Sequence, residues 1–134
     1  MPRRFLRFGL LSLVMMGASL TVAQPAFAVS GGGCNSQAIS TCISSSGTSV
    51  AADFYQNVGG DPTRCYAQME VITTNLGTFW SREYTITANG RYGPFYVNTV
   101  GSSGIRGSAI NRVHIRTCSH SEHYYQDSPR VYYP

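Results

Sequence analysis

From Ile39 onward, apolar and polar residues alternate in short runs rich in β-branched and aromatic side chains, separated by clusters of Gly, Asn, Ser and Pro. A period of two belongs to strands, whose successive side chains point to opposite faces. The pattern predicts strands over Ile39 to Ser44 and Ser49 to Gln56, joined by a turn at Ser45-Ser46-Gly47. In the second of these, Val50, Ala52 and Phe54 share one face, and Ala51, Asp53 and Tyr55 the other. After a loop at Gly59-Gly60-Asp61-Pro62, Cys65 to Thr74 alternates most clearly, with Cys65, Ala67, Met69 and Val71 against Tyr66, Gln68 and Glu70.

Asn75-Leu76-Gly77 then reads as a hairpin connection into Thr78 to Ala88, where the spacing groups Trp80, Tyr84 and Ile86 and turns Ser81, Glu83 and Thr85 outward. Asn89-Gly90 is the strongest hairpin dipeptide in the chain. In the next strand, Arg91 to Val100, Gly93-Pro94 suggests a bulge or an edge, because proline cannot donate to a ladder. Gly101 to Gly107 reads as a flexible connection, Ala109 to Cys118 as the last long strand, and Arg130 to Tyr133 as a C-terminal strand on a sheet edge. No segment keeps a helical period. The fold predicted is all-β, an antiparallel β-sandwich of immunoglobulin-like size, with a small β-barrel as the alternative.

The N-terminus follows another rule. Arg3, Arg4 and Arg7 precede an apolar run and the sequence Ala26-Phe27-Ala28, the three parts of a cleavable secretory signal over residues 1–28. The apolar run, about 16 residues, is shorter than a spanning helix needs, so no membrane anchor is expected. Residues 29–37 read as a flexible Gly/Ser-rich start and residues 38–134 as one β domain. Removing the signal also changes the charge. The ten basic residues of the full chain include no lysine, and after Ala28 seven arginines face six acids. With the excess so small, net charge gives no argument for nucleic-acid binding.

All four cysteines follow Ala28, as in a short exported domain with two disulfides. The favoured pairing is Cys34 with Cys42 and Cys65 with Cys118. No C-x-x-C pair is present, and neither a metal nor another cofactor is expected. A lipid-modified Cys34 would leave an odd thiol.

The chemistry-bearing residues permit three readings. Arg112, His114 and Arg116 alternate and so project from one face as a ladder, suited to an acidic partner or to an ordinary solvated face. Tyr124, Tyr125, Tyr132 and Tyr133 crowd near the C-terminus with Arg130, a composition favoured where proteins recognise one another. Trp80, Tyr84, Tyr92 and Tyr96 would be the stacking platform of a carbohydrate or cell-wall binding module. His114, His120 and His123, beside Glu122 and Asp127, would serve a small secreted enzyme or toxin, although no zinc spacing is matched. Glu70 and Glu83 flank a hairpin without mirroring one another across it.

The signal ending at Ala28, the four-cysteine β domain and the lack of a catalytic motif give the chain a layout that resembles small secreted bacterial proteins. Among these are inhibitors of extracellular enzymes and the adaptor subunit of umbrella-type toxin particles. No motif matches residue by residue, so no site is carried over. The resemblance implies a secreted, non-catalytic module whose partner is an extracellular protein, with a cell-wall glycan as the second choice.

Overall fold

The computed structural model describes residues 30–57, 63–100 and 106–134. The signal, the Gly59 to Pro62 loop and most of the connection after Gly101 lie outside the described residues. The strands are β1 (Ser30–Gly31), β2 (Gly33–Cys34), β3 (Ile39–Ser45), β4 (Ser49–Gln56), β5 (Tyr66–Thr73), β6 (Thr78–Thr85), β7 (Gly90–Asn98), β8 (Gly107–Arg116), β9 (Glu122–Asp127) and β10 (Val131–Tyr133). Described residues include no helix. Two antiparallel sheets form, one ordered β1-β10-β8-β5-β6 with β9 also on β8, the other β2-β3-β4-β7. The sandwich is therefore the architecture, and no barrel closes among the described residues.

Alternation builds the core. Val50, Ala52 and Phe54 of β4 are buried against Ala67, Met69 and Val71 of β5 and Ala109, Val113 and Ile115 of β8. Both expected disulfides are present, Cys34 with Cys42 between neighbouring strands and Cys65 with Cys118 across a separation of 53 residues. On a chain-entropy model, closing so long a loop stabilises the domain by roughly 4 kcal/mol.

One polar side chain crosses the core. Asn111 is fully buried on β8, and its Nδ2 donates to the carbonyls of Cys42 at 3.0 Å and Asp53 at 3.1 Å. Those two residues are register partners in β3 and β4, so one amide bonds both strands of the opposite sheet. The Asn111 N–H donates to Ser128 Oγ and its carbonyl accepts from the Ser128 N–H, each at 2.9 Å, where the chain leaves β9 for β10.

Four elements differ from the alternation read in the sequence. Gln68 pairs with Glu83 and Glu70 with Trp80, so Met69 alone opposes Ser81 and Arg82. This is a β-bulge, and it resets the phase of β6. Ser81 turns inward, where its Oγ accepts the Met69 N–H at 2.9 Å and donates to the Arg82 carbonyl at 2.7 Å. Trp80 is accordingly outside, parted from Tyr84 and Ile86, which pack on the core.

Asn89-Gly90 is not a hairpin turn, because β6 and β7 belong to different sheets and β7 pairs with β4. The Gly93-Pro94 bulge does fall on an edge strand, opposite Asp53. Residues 122–127, read as part of a polar tail, form β9 against β8. Near the N-terminus, Ser30 and Gly31 pair with β10, and Gly33 and Cys34 with β3. Glycine is needed there for close approach, since a Cβ on Gly32 would sit 2.6 Å from the Ile43 carbonyl oxygen.

Two outcomes follow for stability. Asn111→Ala strips the donor from two buried carbonyls and leaves a void, and is expected to cost about 3 kcal/mol in a denaturant titration. A loss below about 1 kcal/mol would mean that those carbonyls find another donor. At the C-terminus, burial raises the Tyr133 phenol above its ordinary pKa, while its hydroxyl donates to Asn75 Oδ1 at 2.6 Å. The unfolded chain then releases that proton first, so stability is intact below about pH 10 and falls as pH rises through the folded value. Tyr133→Phe should reduce this alkaline decline, measured as thermal midpoints between about pH 8 and pH 11.

Candidate functional site

The inward set of β8 dictates its outward set. With Ala109, Val113 and Ile115 in the core, Arg112, His114 and Arg116 must stand on the outer face of the large sheet, as their spacing required. Register then chooses their neighbours. Arg112 lies between Glu70 of β5 and Asp127 of β9, His114 between Gln68 and Tyr125, and Arg116 between Tyr66 and Glu122. The β6 bulge adds Trp80 beside Glu70 and Glu83 beside Gln68.

Every member of this ladder is engaged. Arg112 grips Asp127 as a fork, with Nε to Oδ1 at 2.7 Å and Nη2 to Oδ2 at 2.8 Å, and its guanidinium lies 4.3 Å from the centre of the Tyr125 ring. The hydrogen bond to Asp127 raises the Arg112 pKa further, so this charge is permanent. Arg116 donates through Nη1 to Glu83 at 2.6 Å and through Nη2 to Gln68 Oε1 at 3.0 Å. His114 places Nε2 2.7 Å from Glu70 Oε2 and Nδ1 3.0 Å from Glu122 Oε1. Its ring is flanked by Trp80 at 5.0 Å and Tyr125 at 6.1 Å.

The ladder is therefore real but the face is not basic, which corrects the expectation of a surface for an acidic partner. Glu70, Glu83, Glu122 and Asp127, four of the six acids in the chain, gather around two arginines and His114. A second histidine joins at the end of the sheet. His120, a non-glycine residue at φ 62°, stacks on Tyr66 with ring centres 4.0 Å apart and sets Nδ1 3.1 Å from Glu83 Oε1.

The other sequence-derived candidates divide. Tyr125 and Tyr132 are exposed, but Tyr132 lies at the far end of β8, opposite Ser108, with Arg106 5.5 Å from its ring centre. Arg130 bonds Ser108 Oγ at 2.9 Å. Tyr124 packs on the core and Tyr133 is buried, so the four C-terminal tyrosines make no single patch. The proposed stacking platform is also dispersed. Tyr84 and Tyr92 pack their rings on Phe54 at 5.9 and 5.0 Å, Tyr96 is exposed on the other sheet, and Trp80 alone reaches the outer face.

Nor do the three histidines converge. His114 meets Glu122, His120 meets Glu83, His123 lies against Tyr124, and Asp127 is bound by Arg112. Among the described residues, no group of three or more His, Cys, Asp and Glu side chains is placed to hold a metal ion.

Sequence reasoning found β8 and Tyr125, and put Trp80 in a stacking platform, but missed Trp80 and the carboxylates as neighbours of the ladder. Ser81, which the regular phase turns outward and the structure buries, and Trp80, which that phase groups with Tyr84 and Ile86 and the structure exposes, both mark the true phase of β6. Two disulfides indicate an oxidising compartment, and no helix among the described residues is long and apolar enough to cross a membrane. No protein-family model, no curated protein and no solved structure matches this chain.

Proposed function

We propose that this chain is a secreted, non-catalytic binding module that holds a protein partner outside the cell, as an adaptor or an inhibitor, through the outer face of β6, β5, β8 and β9. The observation that carries this reading is the pair of rings at its centre. Trp80 is 47% exposed and Tyr125 54% exposed, on either side of His114. Binding energy in protein interfaces concentrates in Trp, Tyr and Arg. Here those residue types share one sheet face, held by bonds internal to the domain.

That internal bonding favours binding. A partner meets side chains already ordered, so less rotamer entropy is lost on association. The carboxylates each have a guanidinium or imidazole neighbour, a state that suits a rigid surface better than a group delivering a proton. The resemblance in layout to secreted inhibitors and adaptor subunits supports the same reading.

Tagged protein recovered from culture supernatant should retain a stoichiometric protein partner. Trp80→Ala or Tyr125→Ala should each weaken that complex by roughly 2 kcal/mol, about 30-fold in Kd, with little change in thermal midpoint. Tyr96→Ala, on the opposite sheet, should leave it intact. Binding to insoluble glycan with no protein retained would overturn the proposal.

A further inference from the structure

Because its two arginines are spent on neighbours, the outer face has a shortage of donors at its centre. Arg112 directs Nε and Nη2 to Asp127, and Arg116 directs Nη1 and Nη2 to Glu83 and Gln68. Glu70 and Glu122 remain, and they share one imidazole. Each ring nitrogen is spent on one carboxylate oxygen, Nε2 on Glu70 Oε2 and Nδ1 on Glu122 Oε1. A carboxylate offers about four acceptor sites, so these two acids keep lone pairs open to a further donor.

The shortage is placed where an outside group can reach it. The His114 and Glu70 side chains are 12% and 16% exposed, whereas that of Glu122 is 51% exposed. Beside the imidazole stand the half-exposed rings of Trp80 and Tyr125, whose π-faces attract cations. Charge points the same way. Four of the six acids in the chain lie on this face, whereas five of the seven arginines after Ala28 (Arg64, Arg82, Arg91, Arg106 and Arg130) lie outside the bonded cluster.

We propose that this face takes a basic side chain, Lys or Arg, from its protein partner, seated between Trp80 and Tyr125 and bonded to Glu122 beside His114. The inference rests on the reading of this face as a protein-binding surface. It reverses the partner suggested by the β8 ladder alone. The incoming cation adds a donor to the half-exposed Glu122, and its aliphatic stem covers the exposed rings.

Trp80 is the only tryptophan in the chain, so intrinsic fluorescence reports on this site. The secreted protein is titrated with hexa-arginine, hexa-lysine and hexa-glutamate peptides at neutral pH and low salt. The basic peptides should shift Trp80 emission saturably and hexa-glutamate should not. Glu122→Gln should weaken the response at least tenfold with an unchanged thermal midpoint. An equal response to hexa-glutamate, or full binding by Glu122→Gln, would overturn the cation site. A partner that depends on Trp80 yet tolerates Glu122→Gln and high salt would refute the cation and keep the surface. Saturable binding of hexa-arginine with no protein ever retained would refute the surface and keep the cation site.

Discussion

Strand β8 must satisfy the core and the outer face with one register. Its inward residues Ala109, Val113 and Ile115 are fully buried, and burying each Val or Ile contributes about 1.5–3 kcal/mol. A slip of one residue would place Arg112, His114 and Arg116 in the core, where unpaired charge costs far more than the packing returns. Asn111 holds the same register through polar bonding, since its amide reaches the Cys42 and Asp53 carbonyls only from its present position. The outer face is thus a consequence of core packing, and its β8 ladder needs no loop conformation to be specified.

Ionic contacts contribute little to holding this domain together. Exposed pairs are worth roughly 0–1 kcal/mol each, and only the Arg112 fork has the geometry to exceed the ordinary case. Their effect is positional. Arg112 fixes Asp127 and covers one side of Tyr125, while Glu70 and Glu122 hold the His114 ring from opposite edges between Trp80 and Tyr125. Removing a single pair should therefore disturb the arrangement of this face before it disturbs folding.

How much of this was legible in the sequence depends on whether a signal was carried by one strand or by a pair of strands. The alternation in β4, β5 and β8, the two disulfides and the outward ladder could be read because each strand states its own period. The β6 bulge could not, since it arises from pairing with β5 and is marked by no glycine or proline. Strand β9 lacks any aliphatic residue, so Glu-His-Tyr-Tyr-Gln-Asp reads as a polar segment until β8 supplies the inward contact for Tyr124. Asn89-Gly90 is locally a hairpin signal, but the chain uses it to change sheets. Gly31 and Gly32 resemble a linker in composition and serve for close packing instead.

Net charge illustrates the same limit. After Ala28 the chain is nearly balanced, and balance suggests a surface without electrostatic preference. Pairing redistributes that charge. Antiparallel register brings Glu70, Glu83, Glu122 and Asp127 together from three strands while most arginines lie elsewhere, so a nearly neutral domain acquires one acidic, aromatic face. Any group that meets this face would sense the local field and the rings set within it, because fields between exposed charges decay within about 10 Å at moderate salt. A partner seated on Trp80 and Tyr125 would meet the four carboxylates and their two arginines, and little of the compensating charge on the rest of the domain.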